Sequence, residues 1–338
     1  GYMKIKLSHK YSELISIDNL LTAWATFRRG KKDKPDVQEF DARLFDNIIE
    51  LHQDLTQFTY EHRGYQCFTI SDPKPRIIHK ASVRDRVLHH AIYQQLYPFF
   101  DKTFIADSYS CRLGKGTHKA LNRFRALSGQ VSQNQTRTVW VLKCDIKKFF
   151  ASIDQFVLQQ ILSEYIPDRG VLWLLSQVIT SFSSGKLGVG LPLGNLISQL
   201  FCNVYLNVFD QFVKHRLKVK YYLRYADDFV ILSDDKSYLA NILPVISQFL
   251  NQTLKLQLHP DKVFIKTLAS GVDWLGWVHF PQHRVLRTTT KRRMFKRINE
   301  EPSNGVVQSY LGLLSYDKTY KLCQKIYQIL DVPSACLK

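Results

Sequence analysis

Three aspartates carry the chemistry that this sequence can do. Asp227 and Asp228 stand side by side in KYYLRYADDFVILSDD, residues 220–235, between two aromatic and aliphatic runs. Neighbouring like charges repel unless something positive is shared between them. The third, Asp145, closes TVWVLKCDI, a nearly all-apolar run of the kind that forms a strand covered on both faces. YYLRY and FVILS read as two strands of a hairpin with ADD at its tip. If that hairpin and the Asp145 strand are neighbours in one sheet, three carboxylates converge at a strand edge. Hard oxygen ligands so placed suit magnesium, and two such ions about 4 Å apart suit in-line phosphoryl transfer. Taken alone, Asp227–Asp228 also reads as a polar hairpin turn, and Asp145 as an ordinary strand end.

The elements that must position these groups are legible from composition and periodicity. The chain has 338 residues, 45% hydrophobic and 13% aromatic, enough for a core shared by two or three subdomains. Lysine and arginine outnumber aspartate and glutamate by 47 to 29, and a net charge of +18 favours a polyanionic partner, nucleic acid before an acidic membrane or protein. No run of eighteen apolar residues and no leader pattern stands in the sequence, so neither a membrane span nor secretion is expected, and a cytoplasmic location is. The six cysteines (Cys67, Cys111, Cys144, Cys202, Cys323 and Cys336) show no CxxC pair and read as reduced, buried thiols.

Leu20, Leu21, Trp24 and Phe27 have helical spacing, broken by the basic loop FRRGKKDKPD. A second periodic run from Asp36 puts Phe40, Leu44, Ile48, Ile49 and Leu51 on one side. RGYQCFTI is strand-like, SDPKPR is an extended turn, and ASVRDRVLHHAIYQQLYPFF returns to helix with Val83, Val87, Leu88, Ala91 and Ile92 inward and Pro98 limiting its length. FFASIDQFVLQQIL starts a helix capped by Ser152 or Asp154. GKLGVGLPLGN is a glycine-rich turn into a long helix whose polar edge, Asn195, Gln199, Asn203 and Asn207, is uncharged and suggests contact with something other than water. A helix near SYLANILPVISQFLNQTL, the turn LHPDK, strands at VFIKT and GVDWLGWVHF, and a basic tail RTTTKRRMFKRIN with two short helices follow.

Taken together, YADD in a hairpin, LKCDIKKFF and GLPLGNLISQLF resemble the motifs of reverse transcriptases, and DPKPRIIHKASVRDR with DSYSCRLGKGTHKAL is similar to fingers motifs of the group II intron-related bacterial lineage. Many reverse transcriptases have a QGxxxSP-like pattern where this chain has Leu193 and Gln199. Its aliphatic-GxxxSQ pattern resembles the reverse transcriptases of diversity-generating retroelements. The resemblance implies an α+β, right-hand polymerase fold: an N-terminal extension and fingers over 1–136 with some palm, a palm of antiparallel sheet packed on helices over 137–282, and a short basic helical thumb over 283–338. It also implies roles. Asp145, Asp227 and Asp228, with the Ile146 carbonyl, would hold two Mg²⁺ ions. Lys74 and Arg76 would clamp the dNTP triphosphate, with Phe150 as the steric gate against a 2′-hydroxyl and Leu193 and Gln199 beside the nucleotide. Lys262 would protonate the leaving pyrophosphate. Arg84 and Arg86 in the fingers, Trp274 and Gly276 in a primer-grip turn, and Lys291, Arg292 and Arg293 at the start of the thumb would touch nucleic acid. Each has a plainer reading: Phe150 as a core aromatic, Lys262 as an exposed turn lysine, Arg84 and Arg86 as partners of Asp85 and its neighbours, the thumb run as a solvated face.

The implied activity is RNA-directed DNA synthesis from a structured template-repeat RNA and a DNA or RNA primer, with adenine-directed errors. An oligomeric accessory variability determinant protein is the implied partner, and no membrane is involved. Alternatives are an antiviral-defence or retron-type reverse transcriptase and, from another class, a nucleic-acid-binding scaffold without activity. LGKGTHK lacks the GxxxxGK[ST] pattern of a P-loop, and His89–His90 lack metal-ligand spacing.

Overall fold

Capping residues and apolar spacing divide the N-terminal part into four helices: α1 (Tyr11–Leu14), α2 (Ile17–Phe27), α3 (Pro35–Ala42) and α4 (Leu44–Thr56). Ser16 caps α2 by accepting from the Asn19 amide, and Pro35 opens α3. Leu20, Trp24 and Phe27 are buried as their spacing requires, whereas Ile49 faces outward. The computed structural model describes residues 5–71, 75–315 and 319–330.

A two-stranded ribbon follows, β1 (Gln66–Ile70) against β2 (Arg76–Lys80), then α5 (Val83–Asp101) and α6 (Thr117–Val131). Pro98 does not end α5. It sits in the last turn, where it costs the one hydrogen bond to the Gln94 carbonyl and the helix runs only three residues further, packed by the buried Leu96, Tyr97 and Phe100. After β3 (Trp140–Asp145) the expected single helix is two: α7 (Phe149–Ser152) and α8 (Gln155–Ser163), separated by an extended Ile153, with Asp154 capping α8 through the Val157 amide. Next come α9 (Arg169–Thr180), α10 (Leu196–Gln211), β4 (Tyr222–Tyr225), β5 (Asp228–Ser233), α11 (Lys236–Leu254) and β6 (Phe264–Thr267).

The central sheet is antiparallel in the order β4-β5-β3-β6. Val141, Leu142 and Cys144 of β3 are fully buried, as the all-apolar run required. A ribbon of β7 (Val272–Trp274), β8 (Trp277–His279) and β9 (Arg284–Leu286) leads to α12 (Thr288–Glu300), α13 (Asn304–Leu314) and α14 (Tyr320–Ile329), which pack around Trp277, Met294, Ile298 and Leu314.

Three of the four members of the amide row along α10 are met by the chain itself. Asn195 donates to the His79 carbonyl at 2.8 Å, Asn203 to the Ser110 carbonyl at 2.9 Å, and Asn207 to Thr103 Oγ1 at 3.4 Å. One residue of α10 brings a carboxylate into the core. Asp210, fully buried, accepts from Arg224 Nε at 2.8 Å, Arg224 Nη2 at 2.7 Å and the Tyr222 hydroxyl at 2.7 Å. Arg224, also fully buried, directs its remaining donors to Ser108 Oγ, the Ala226 carbonyl and Asn203 Oδ1. A buried ion pair is tolerable only when its spare donors and lone pairs are satisfied, and here they are. Asp210→Ala strands the guanidinium, so it is expected to lower unfolding free energy by about 3–5 kcal/mol in a urea titration. A loss under about 1 kcal/mol would show that the pair does not bear on the fold.

Candidate active site

The strand register brings the catalytic candidates together. Asp145 at the end of β3 lies directly opposite Asp228 at the start of β5, and Asp228 in turn pairs with Tyr225 across the β4–β5 hairpin. Ala226 and Asp227 form a two-residue turn in which Ala226 takes φ +54°, the left-handed first position of a type II′ hairpin. An alanine there is disfavoured by roughly 1–2 kcal/mol. Two outside hydrogen bonds hold it: Arg224 Nη1 donates to the Ala226 carbonyl at 2.9 Å, and the Ile146 amide donates to the Asp227 carbonyl at 3.0 Å. On the other side the His259 amide donates to the Asp145 carbonyl at 2.7 Å, and the short helical turn Pro260–Lys262 then delivers Lys262.

Each outer carboxylate is met by a lysine. Lys262 Nζ donates to Asp145 Oδ1 at 3.0 Å, and Lys143 Nζ lies 3.4 Å from Asp228 Oδ2. Asp228 Oδ1 is buried without a hydrogen-bond partner. Burial pushes the Asp228 carboxyl up to about 7, with Asp145 and Asp227 adding to the shift and Lys143 opposing it. Asp227 is raised as well, by burial first and then by Asp145, against the pull of Lys262 and Arg76. Among the described residues no three histidine, cysteine or acidic side chains stand as a ready-made metal cage. The backbone therefore converges as expected, but the Asp145 and Asp228 side chains are turned onto lysines. An orphaned carboxylate oxygen and two carboxyls short of positive charge fit a hard cation. Lys143 was not singled out in the sequence, although its place two residues before Asp145 puts both on one face of a strand.

The residues expected beside a nucleotide come from three elements. Arg76 opens β2, exposed, and is near enough to Asp227 to lower its pKa. Phe150 is half-buried, edge-on to the core residue Phe149 at 5.8 Å, and its carbonyl accepts from the Leu191 amide. Leu193 is half-buried with its carbonyl bonded to the His79 amide at 3.0 Å, and Gln199 is half-buried in the first turn of α10. Lys74 lies outside the described residues.

Other expected contacts are turned inward. Arg84 is buried between Asp54, Asp85 and the Glu61 carbonyl, stacked over Tyr60. Arg86 is held by Asp36 at 2.7 Å over the ring of Phe27. Both are structural ion pairs, because α5 packs them against α3 and α4. Trp274 is fully buried against Phe124 and His279, so only its neighbours, Leu275 and Gly276 at φ +53° and +83°, form the open tip of the β7–β8 turn. Lys291 and Arg292 are exposed on α12, and Arg293 is half-buried. The thiols are free, but Cys67 and Cys111 are exposed rather than buried; Cys336 lies outside the described residues.

A family model described as reverse transcriptase (RNA-dependent DNA polymerase) matches residues 70–279. Among curated relatives, protein YkfC of Escherichia coli (strain K12) is 26% identical over 288 residues, covering 72% of each chain. The group II intron-encoded protein LtrA of Lactococcus lactis subsp. cremoris is 22% identical, covering 85% of this chain and 57% of LtrA, so the chain spans little more than half of that protein. A solved structure, apo telomerase from Candida tropicalis truncated from its C-terminal domain, superposes with a TM-score of 0.50 at 12% identity, covering 70% of this chain and 59% of that one, a likeness of fold alone. The chain belongs to the reverse transcriptase family, RNA-directed DNA polymerases of right-hand fold.

A carboxyl whose pKa is raised in the fold favours the neutral form there, so metal-free stability falls as pH rises from the unfolded value, 3.8, through about 7. Asp228→Asn is expected to remove that part of the slope, making the metal-free variant gain in melting temperature over wild type more at pH 8 than at pH 5. An equal gain at both would place Asp228 outside the electrostatic strain of the site.

Proposed function

We propose that this reverse transcriptase copies a template-repeat RNA into error-prone, adenine-mutagenised cDNA within a diversity-generating retroelement. Leu193 carries the reading. A glutamine at that place can hydrogen-bond the incoming nucleotide and hold it in register with the template base; leucine cannot, and its backbone carbonyl is already taken by His79. Arg76 and Gln199 complete the set of residues to which the looseness is assigned.

In this reading Asp145, Asp227, Asp228 and the Ile146 carbonyl would hold two Mg²⁺ ions. When bound, these would activate the primer hydroxyl and neutralise the charge of the departing pyrophosphate. Lys143 then opposes the burial that raises Asp228, and Lys262, already on Asp145, would stand beside the phosphates as the proton donor. Arg76, with Lys74, clamps the triphosphate, and Phe150 closes the space below the sugar. Gly276 at its open turn meets the primer, and Lys291, Arg292 and Arg293 meet the duplex backbone. The fingers with the N-terminal extension would take residues 1–136, the palm 137–282 and the thumb 283–338. The proposed partners are the structured RNA, a DNA or RNA primer and an oligomeric accessory protein, in the cytoplasm. No helix among the described residues is long and apolar enough to cross a membrane.

The test is primer extension on a defined RNA with Mg²⁺ and dNTPs, followed by sequencing, with the accessory protein and native RNA added if the chain alone is silent. DNA from wild type and none from Asp228→Asn, with errors concentrated opposite A, is the expected result. Leu193→Gln should lower those errors roughly three- to tenfold, the worth of one hydrogen bond. Accurate wild-type cDNA would instead favour a defence or retron-type enzyme, and no DNA under any condition would sink the catalytic assignment. Phe150→Ala should admit rNTPs in the same assay; unchanged sugar selection would remove Phe150 from the gate.

A further inference from the structure

At the end of the palm sheet away from the carboxylates lies a cavity of about 560 Å³. It sits where β3 begins, roughly 17 Å along the strand from Asp145. Val139, Leu268 and Ala269 form its apolar floor. One wall is the tip of the β8–β9 hairpin, Phe280 to His283, and the other is the segment after α6 that carries Ser132, Thr136 and Arg137.

The first wall is aromatic and fixed. The rings of Phe280 and His283 stack at 4.9 Å with 14° between their planes. Phe280 is seated on the backbone of Gly271, where an added Cβ would come 3.0 Å from its ring. His283 is exposed and leaves a flat face available. The second wall is a tight arc. Gln133, Asn134 and Gln135 take φ values of +47°, +57° and +69°, three successive left-handed residues without a glycine. The Gln135 amide donates to Ser132 Oγ at 3.0 Å, and the Gln282 side chain donates to Gln135 Oε1 at 2.8 Å, which ties the two walls together. Backbone held in such conformations persists where its surroundings over-determine it, as at ligand clamps. Arg137 pairs with Asp234 at 2.6 Å yet stays half exposed, and Arg125, also exposed, reaches the same hairpin through the Gln282 carbonyl. No carboxylate is among the residues lining the cavity.

We propose that this cavity takes one unpaired nucleotide of an RNA, its base stacked on His283 and its phosphate facing Arg137 and Arg125. The apolar floor and the flat aromatic face suit the faces of the base, the hydroxyl- and amide-rich rim its polar edge and the ribose, and the nearby cation the phosphate. The volume is in the range of small-ligand sites. Its distance from Asp145 keeps the contact off the nucleotide being copied, so the site would anchor a looped part of the RNA while the active site works on another part of it. The inference rests on the chain being a reverse transcriptase and not on the kind of retroelement it serves.

The test reads binding, so it is independent of polymerase activity. A fluorescein-labelled RNA hairpin with a six-uridine loop and a blunt RNA duplex of the same stem are titrated with wild type, His283→Ala and Arg137→Gln, each checked for an unchanged melting curve. His283→Ala is expected to weaken the looped RNA about fivefold or more and the duplex not at all. With 4-thiouridine in the loop, the photocrosslink should map to residues 280–283. Primer extension on a short unstructured template should be unchanged in both variants. Wild-type affinity for the looped RNA in both variants, or crosslinks confined elsewhere, would overturn the proposal. So would equal losses for loop and duplex, which would mean a contact with the phosphate backbone alone.

Discussion

The ion pair of Arg224 and Asp210 is the constraint on which the working end of this molecule depends. Two full charges removed from water are costly, and only a complete set of partners makes that arrangement stable. Arg224 draws those partners from three places: α10 through Asp210, the segment before α6 through Ser108, and the hairpin tip through the Ala226 carbonyl. The Asp107 carbonyl and the Tyr109 amide bond the backbone of the same arginine. One side chain thus fixes where the Ala226–Asp227 turn stands relative to both flanking layers, and the strained conformation of Ala226 is held from beneath.

Above that foundation the carboxylates are poised rather than paired. Burial raises the pKa of both Asp227 and Asp228, the second up to about 7, and a protonated carboxyl is a poor ligand for a cation. Lys143, Lys262 and Arg76 supply positive charge from three different elements, so the site is partly compensated before any cation arrives. The charge from Lys262 also yields readily, because that side chain is partly solvated and its contact with Asp145 can be exchanged.

Much of this was legible in the sequence, for reasons that can be stated residue by residue. The β3 strand announced itself because a strand buried on both faces must be apolar throughout, and YADD because a hairpin tip needs short polar residues. The split between α7 and α8 was hidden, since Ile153 breaks the helix by its backbone angles and not by its residue type. Arg224 looked like any surface arginine in an alternating strand; its burial depends on Asp210, fourteen residues earlier, and on Ser108, more than a hundred earlier. Arg84, Arg86 and Trp274 failed as surface residues for the same reason: a motif preserves residue type, while packing decides which way the side chain turns. The amide row on α10 was correctly read as making contacts, but its partners are carbonyls and a hydroxyl of the same chain.

The β1–β2 ribbon has a mechanical consequence. Arg76 and His79 lie three residues apart on β2, roughly 10 Å. His79 grips the turn before α10 with both its amide and its carbonyl, through Leu193 and Asn195. Gly194 is pressed so closely to Ile78 that a Cβ would come within 2.7 Å of it. The strand and the turn are therefore fastened to one another, so that in the proposed reading a swing of the ribbon toward a triphosphate at Arg76 would carry Leu193 with it.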